Sequence, residues 1–198
     1  MTSHRQGNLF VVSGPSGVGK GTVIGHLLNK ISGIKKSVSA TTRAPRQGEQ
    51  CGLDYFFKSP AEFQQMIDQG EFMEWAEYAG NLYGTPLKWV KGELKAGIDV
   101  ILEIDIEGAK QIHSQYPQAT LIFLSPPSLA VLEDRLKNRA TESAEKVTWR
   151  LNKAKEEVLA KHIFQCEVVN DSLEEAINNL EHIVYAERAK QVPSLPSS

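Results

Sequence analysis

Residues 8–31 read NLFVVSGPSGVGKGTVIGHLLNKI. A short apolar run over 8–12 ends at Gly14, the pattern of a buried strand that stops at a turn. Val23, Ile24, Leu27, Leu28 and Ile31 then recur at helical spacing, so strand, glycine-rich turn and helix follow one another. The turn, Gly14-Pro15-Ser16-Gly17-Val18-Gly19-Lys20, satisfies G-x-x-x-x-G-K. Its glycines let the backbone curl so that successive N–H groups point inward at phosphate oxygens. The following helix presents its positive end to the same anion, and Lys20 brings a charge to the β- and γ-phosphates. Gly14 through Thr22 are therefore the candidate nucleotide contacts. Gly21 stands where the common pattern has a Ser or Thr hydroxyl for Mg²⁺. No direct protein ligand to the metal is expected, and Mg²⁺ would rely on nucleotide oxygens, water and outer carboxylates.

Working outward, the βα rhythm is interrupted and then resumes. Short β-rich pieces at 37–42, 55–57 and 71–78 surround one helix. That helix is announced by Ser59 as N-cap, Pro60 at N1 and Glu62 at N3, with Gly70 able to end it. Thr85-Pro86 is read as opening a further helix that closes at Gly97. Strands at 99–104, 119–124 and 167–170 alternate with helical patterns, and a last helix runs from 173 to about 190 with Asp171 as its cap. Alternating strands and helices predict an α/β fold with a parallel sheet flanked by helices. The core spans about 8–36, 86–127 and 163–190. It is interrupted by one insertion at about 37–85 and by a helical, arginine-bearing one at about 128–162, read as a lid. A Pro/Ser-rich tail over 192–198 reads as disordered.

Of the 198 residues 41% are hydrophobic and 23% charged, an ordinary composition for a chain with one buried core. The formal net charge of −2 supplies no basic field for nucleic acid or an anionic membrane. Neither partner is expected, no obligatory protein partner is visible, and any anionic ligand must be held by locally placed arginines and amides. The start lacks a signal-peptide pattern, the apolar runs are too short to cross a bilayer, and two distant cysteines without metal-ligand spacing suit a reducing cytoplasm.

A phosphate loop alone admits GTPases, motor ATPases and small-molecule kinases. Asp105-Ile106-Glu107-Gly108 satisfies D-x-x-G, yet no N-K-x-D base-reading motif occurs. The discriminating stretches are residues 37–49, SVSATTRAPRQGE, then 52–57, GLDYFF, 72–77, FMEWAE, and 80–85, GNLYGT. With the phosphate loop, this series resembles the guanylate kinase family in order and spacing, over nearly the whole chain from about 9 to 188. The resemblance implies a P-loop nucleoside monophosphate kinase with inserted GMP-binding and lid subdomains, using ATP and Mg²⁺ to phosphorylate GMP and dGMP. Ser39, Arg43, Arg46, Tyr55, Glu74, Tyr83, Thr85 and Asp105 match its GMP-contacting positions, and Asn170 one beside the adenine of ATP. Arg135, Arg139 and Arg150 match its lid arginines, with Ala140 where the family has glycine.

The chemistry of these side chains suits those roles. Guanine offers donors at N1 and N2 and an acceptor at O6. Glu74 can accept from both donors while a hydroxyl at Ser39 or Thr85 donates to O6, and adenine would leave the carboxylate unpaired. Arg43 and Arg46 carry permanently charged forks suited to a phosphate monoester. Taken singly, the arginines read as solvated loop or helix-face charges and Asp105 as a helix cap; joint occurrence in family order is what favours a site. Lys20, Arg43, Arg135, Arg139 and Arg150 are the candidate catalytic residues, acting by alignment and charge neutralisation. Two alternatives stay open: a non-catalytic protein-binding module of similar fold, and a kinase for another small phosphate ester.

Overall fold

The computed structural model describes residues 5–137 and 144–191, with side chains also left undescribed at 144–147. Arg139, Ala140 and the tail at 192–198 lie outside the described residues. Five parallel strands form the central sheet in the order β2 (Ile34–Lys36), β7 (Asp99–Glu103), β1 (Leu9–Ser13), β8 (Thr120–Ser125), β9 (Cys166–Val169). β1 is central and buried throughout because both faces of the sheet are covered. Phe10 and Val12 face α1 (Lys20–Lys30) and α7 (Leu173–Lys190), packing with Val23, Leu27, Leu180 and Val184. Leu9 and Val11 face the opposite way, with Val90 of α3 (Leu87–Lys95) and Ile112 of α4 (Ile106–Gln115).

A second sheet is built from the chain between β2 and α3. It runs β4 (Phe56–Phe57), β3 (Ala40–Thr41), β6 (Asn81–Pro86), β5 (Phe72–Tyr78), with α2 (Pro60–Asp68) inserted before β5. The capping box at Ser59 and Glu62 forms as read: the Ser59 hydroxyl accepts from Glu62 N and the Glu62 carboxylate from Ser59 N at 2.7 Å. α4 is fastened to the edge of this sheet. The Gln111 side-chain amide donates to the Trp75 carbonyl at 2.6 Å and accepts from the Trp75 N–H at 3.2 Å.

Thr85-Pro86 closes β6 and leads directly into α3, with Pro86 as its N-cap and Leu87 as its first residue. Two local readings are corrected. The β5–β6 hairpin turns on Ala79 (φ 51°) and Gly80 (φ 75°), both left-handed as a two-residue hairpin loop requires. Ser172, not Asp171, caps α7, its hydroxyl accepting from Glu175 N; Asn170 N still donates to Ser125 O, so the helix starts later. The β content read over 37–42 narrows to Ala40–Thr41, with β2 as a separate edge strand of the other sheet.

After β8 come α5 (Leu129–Lys137), α6 (Ala144–Leu159) and a 3₁₀ turn at Ala160–Ile163. Among the described residues no helix is long and apolar enough to cross a membrane. Far from the loop between β1 and α1, the fully buried Asp99 ties three segments together. It accepts from Arg5, from Asn8 N at 2.7 Å and from Arg188 Nε at 2.7 Å. Asp99→Asn retains the shape but loses the charge on these bonds, and should destabilise by about 1.5–3 kcal/mol. Urea unfolding measures the loss; an unchanged midpoint would show that the clasp contributes nothing.

Candidate active site

The loop from Gly14 to Gly19 leaves β1 at the carboxyl edge of the sheet and enters α1 at Lys20. Gly14, Gly17 and Gly19 have φ of 146°, 88° and 97°, which only glycine adopts freely. A Cβ at Gly14 would meet Leu124 O at 2.2 Å, and one at Gly19 would meet Asn170 Nδ2 at 2.7 Å. The N-cap of α1, Gly19, offers no side-chain acceptor, so the first-turn N–H groups of the helix are left for an anion. Lys20 Nζ reaches back to Gly14 O at 2.5 Å and Pro15 O at 3.2 Å. This cradle fits the phosphates of a nucleotide.

The loop opens onto a pocket of about 400 Å³ shared with the second sheet. Of the residues singled out in the sequence, Gly14, Ser16, Gly17, Gly19, Lys20, Gly21, Thr22, Ser39, Arg46, Tyr55, Glu74, Tyr83, Asp105 and Arg150 line it. Glu74 projects inward from β5 and is 4% exposed. Burial, with a contribution from Asp105, pushes its carboxyl up to about 7, against the opposing pull of Thr85. Thr85 is itself buried, and its hydroxyl donates to Glu74 Oε1 at 2.5 Å. That hydroxyl orients the carboxylate, and of the pair Ser39 and Thr85 only Ser39 lines the pocket. Asp105 caps α4 by accepting from Gly108 N at 2.8 Å while also lining the pocket, and burial raises its pKa.

Other residues stand behind the wall. Arg43 Nη2 donates to Glu49 Oε1 at 2.9 Å and its guanidinium lies 5.3 Å from the Tyr55 ring centroid. Glu49 also accepts from Arg46 N at 2.7 Å, and its two arginine contacts hold its carboxyl below the usual range. Pro15 and Val18 shape the loop from within. Asn170 braces it, donating Nδ2–H to Val18 O at 2.8 Å, and its own carbonyl accepts from Arg135 Nη2 at 2.9 Å. Asn170 and Arg135 thus meet each other and the loop rather than lining the pocket.

Four relevant residues were not found by reading the sequence. Glu49 follows Arg43 and Arg46 at spacings of six and three. Glu103 ends a buried strand and lines the pocket beside Gly21, whose Cβ would sit 3.3 Å from Glu103 Oε1. Tyr78 closes another wall, with its ring 5.7 Å from Trp149 of α6. Glu157, buried and two helical turns from Arg150 on the same face, also lines the pocket, and burial pushes its carboxyl up to about 7 against the charge of Lys20. Among the described residues no three His, Cys, Asp or Glu side chains converge as metal ligands. Glu103 and Asp105 at the pocket edge fit Mg²⁺ held through its waters and the nucleotide's own oxygens.

A phosphate loop at the end of a central parallel strand, facing a pocket walled by a second small sheet, defines a P-loop phosphotransferase. The guanylate kinase family model matches residues 6–187. The chain is 47% identical over 186 residues to the guanylate kinase of Shouchella clausii (94% of this chain, 91% of that one). It is 52% identical over 172 residues to that of Rubrobacter xylanophilus (87% and 90%). The crystal structure of guanylate kinase from Anaplasma phagocytophilum superposes with a TM-score of 0.78 at 34% identity, covering 96% of this chain and 89% of that one. The chain belongs to the guanylate kinase family, whose activity is ATP-dependent phosphoryl transfer to GMP.

Proposed function

We propose that this chain transfers the γ-phosphoryl group of ATP to GMP, and to dGMP, which presents the same base and phosphate. The observation that carries this reading is that Lys20 and Glu74 share one pocket, one on an anion-binding loop and the other a buried carboxylate on the second sheet. In this reading residues 37–85 are the GMP-binding insertion and about 128–162 the lid over the core. Glu74, oriented by Thr85, accepts from guanine N1–H and the 2-amino group, while Ser39 donates to O6. Arg46, with Arg43 held against Glu49, receives the GMP phosphate beside Tyr55 and Tyr83.

The acceptor is a phosphate oxygen that is largely dianionic at neutral pH, with a second pKa near ~6, so no general base is needed. Lys20 and Arg150 neutralise charge on the transferring group, with Arg135 and Arg139 of the lid brought to the same task. Bound Mg²⁺ supplies further neutralisation of the β- and γ-oxygens. Closure excludes water as a competing acceptor. Both cysteines are free, in accord with a reducing cytoplasm. ADP release from ATP–Mg²⁺ with GMP, dGMP, AMP, CMP and UMP offered separately tests the assignment. GMP and dGMP should be turned over far faster than the rest, and a preference for AMP would overturn it.

A separate expectation concerns Gly21. Its φ is not left-handed, and a serine Cβ would lie near the flexible Glu103 carboxylate, to which the new hydroxyl can donate. Gly21→Ser should leave turnover within roughly tenfold of the parent, about 1.4 kcal/mol. A collapse of activity in a folded protein would mean that the bare backbone is needed there for phosphate approach.

A further inference from the structure

The Glu74 carboxylate rests on the first turn of α4. A Cβ built at Gly108 would stand 2.4 Å from Glu74 Oε2, 3.1 Å from Glu74 Cδ and 3.3 Å from Ile104 Cδ1. No backbone requirement explains a glycine there: Gly108 is helical and its φ is not left-handed. In such a position alanine is the better helix former. What the residue supplies is space, and one carboxylate fills it.

That carboxylate is held from another side as well. Glu74 is paired through β5 to Thr85 of β6, and the Thr85 hydroxyl holds Oε1 at 2.5 Å. The next residue, Trp75, is gripped at both its N–H and its C=O by Gln111, one turn along α4 from Gly108. Strand and helix are thereby fixed at the separation that a glycine allows. The N–H of Gly108 itself is given to Asp105 at 2.8 Å, so the same turn also sets the second carboxylate of the pocket.

We propose that Gly108 is a specificity-determining positioning residue: its missing side chain, with Gln111 clamping β5 to α4, sets where the Glu74 carboxylate stands and so selects a base edge with two adjacent N–H donors. The inference rests on the reading of Glu74 as the guanine acceptor. A methyl group at Gly108 pushes the carboxylate along the pocket wall and misaligns it with one of the two donors. Displacements of this size near a reacting ligand cost up to about 10²-fold.

The test uses Gly108→Ala, Glu74→Asp, the double variant and Glu74→Gln, with GMP and inosine monophosphate as acceptors. Inosine monophosphate keeps N1–H and lacks the 2-amino group. Gly108→Ala should lower kcat/KM for GMP by about tenfold or more and shrink the preference for GMP over inosine monophosphate, with KM for ATP and Tm nearly unchanged. Glu74→Asp, one methylene shorter, should cost less in the Gly108→Ala background than alone, because the two changes couple. The proposal is overturned if Gly108→Ala keeps the parent's GMP kinetics and base preference. It is equally overturned if the loss falls alike on ATP and GMP with a lowered Tm, or if the two changes add independently. If Glu74→Gln itself leaves GMP turnover intact, the guanine reading falls too; if only Gly108→Ala is silent, that reading stands and this inference alone fails.

Discussion

Lys20→Ala is expected to lower kcat by at least about 10²–10³-fold while leaving the fold in place. Lys20 opens α1, and its ammonium curls over the loop to the carbonyls of Gly14 and Pro15. The loop's shape rests on its glycines and on the Asn170 brace to Val18, so truncating the lysine removes charge rather than architecture. The loss should appear in kcat more than in KM for GMP, because the missing charge opposes negative charge on the transferring group. Steady-state rates with both substrates saturating, alongside thermal unfolding, measure it. Near-normal turnover by a folded Lys20→Ala protein would remove Lys20 from the catalytic set.

Glu74→Gln should lower kcat/KM for GMP by at least roughly 10²-fold, about 2.7 kcal/mol, with ATP affinity little changed. The substitution turns one acceptor into a donor facing a donor, in a site where the side chain is buried and cannot be rescued by water. The parent enzyme carries a further signature. Its Glu74 carboxyl is pushed up to about 7, chiefly by burial, and only the ionised form accepts from both guanine donors. Proton and GMP therefore compete: kcat/KM for GMP should fall as pH drops through that value and level off above it. Glu74→Gln should erase this limb. A limb that remains near neutrality is assigned to Glu157, whose carboxyl is also raised to about 7 by burial against the charge of Lys20, or to the GMP phosphate itself, with its second pKa near ~6. A glutamine variant with the parent's GMP kinetics, or an unaltered pH profile, would end the base-reading assignment.

The legible parts of this chain were those whose physics is local. Buried parallel strands read as continuous apolar runs, so β1, β7 and β8 stand out in the sequence, and the glycines of the phosphate loop announce their own conformation. β2 did not, because Ile34-Lys35-Lys36 is a short edge strand with one buried residue. The β5–β6 hairpin was hidden because Ala79 occupies a left-handed position where asparagine or glycine would have signalled a turn. The pocket was read through single side chains such as Lys20, Glu74 and Arg46, whereas the groups that orient them were not. Glu49 acquires meaning only once the loop folds it onto Arg43, and Glu157 only once α6 lies over the loop. Asn170 acquires its tie to Val18 of the loop, and Arg135 its tie to Asn170, only once β9 and α5 are folded beside that loop.

The clamp between α4 and β5 has another consequence. β5 is an outer strand of its sheet, paired only with β6, and such a strand offers unpaired backbone groups to any extended segment of a second molecule. Midway along β5, both backbone groups of Trp75 are already taken by the Gln111 amide. An incoming strand meets there a side chain that imitates its own peptide group. Pairing along the strand that carries Glu74 is thus interrupted at its midpoint by a single glutamine.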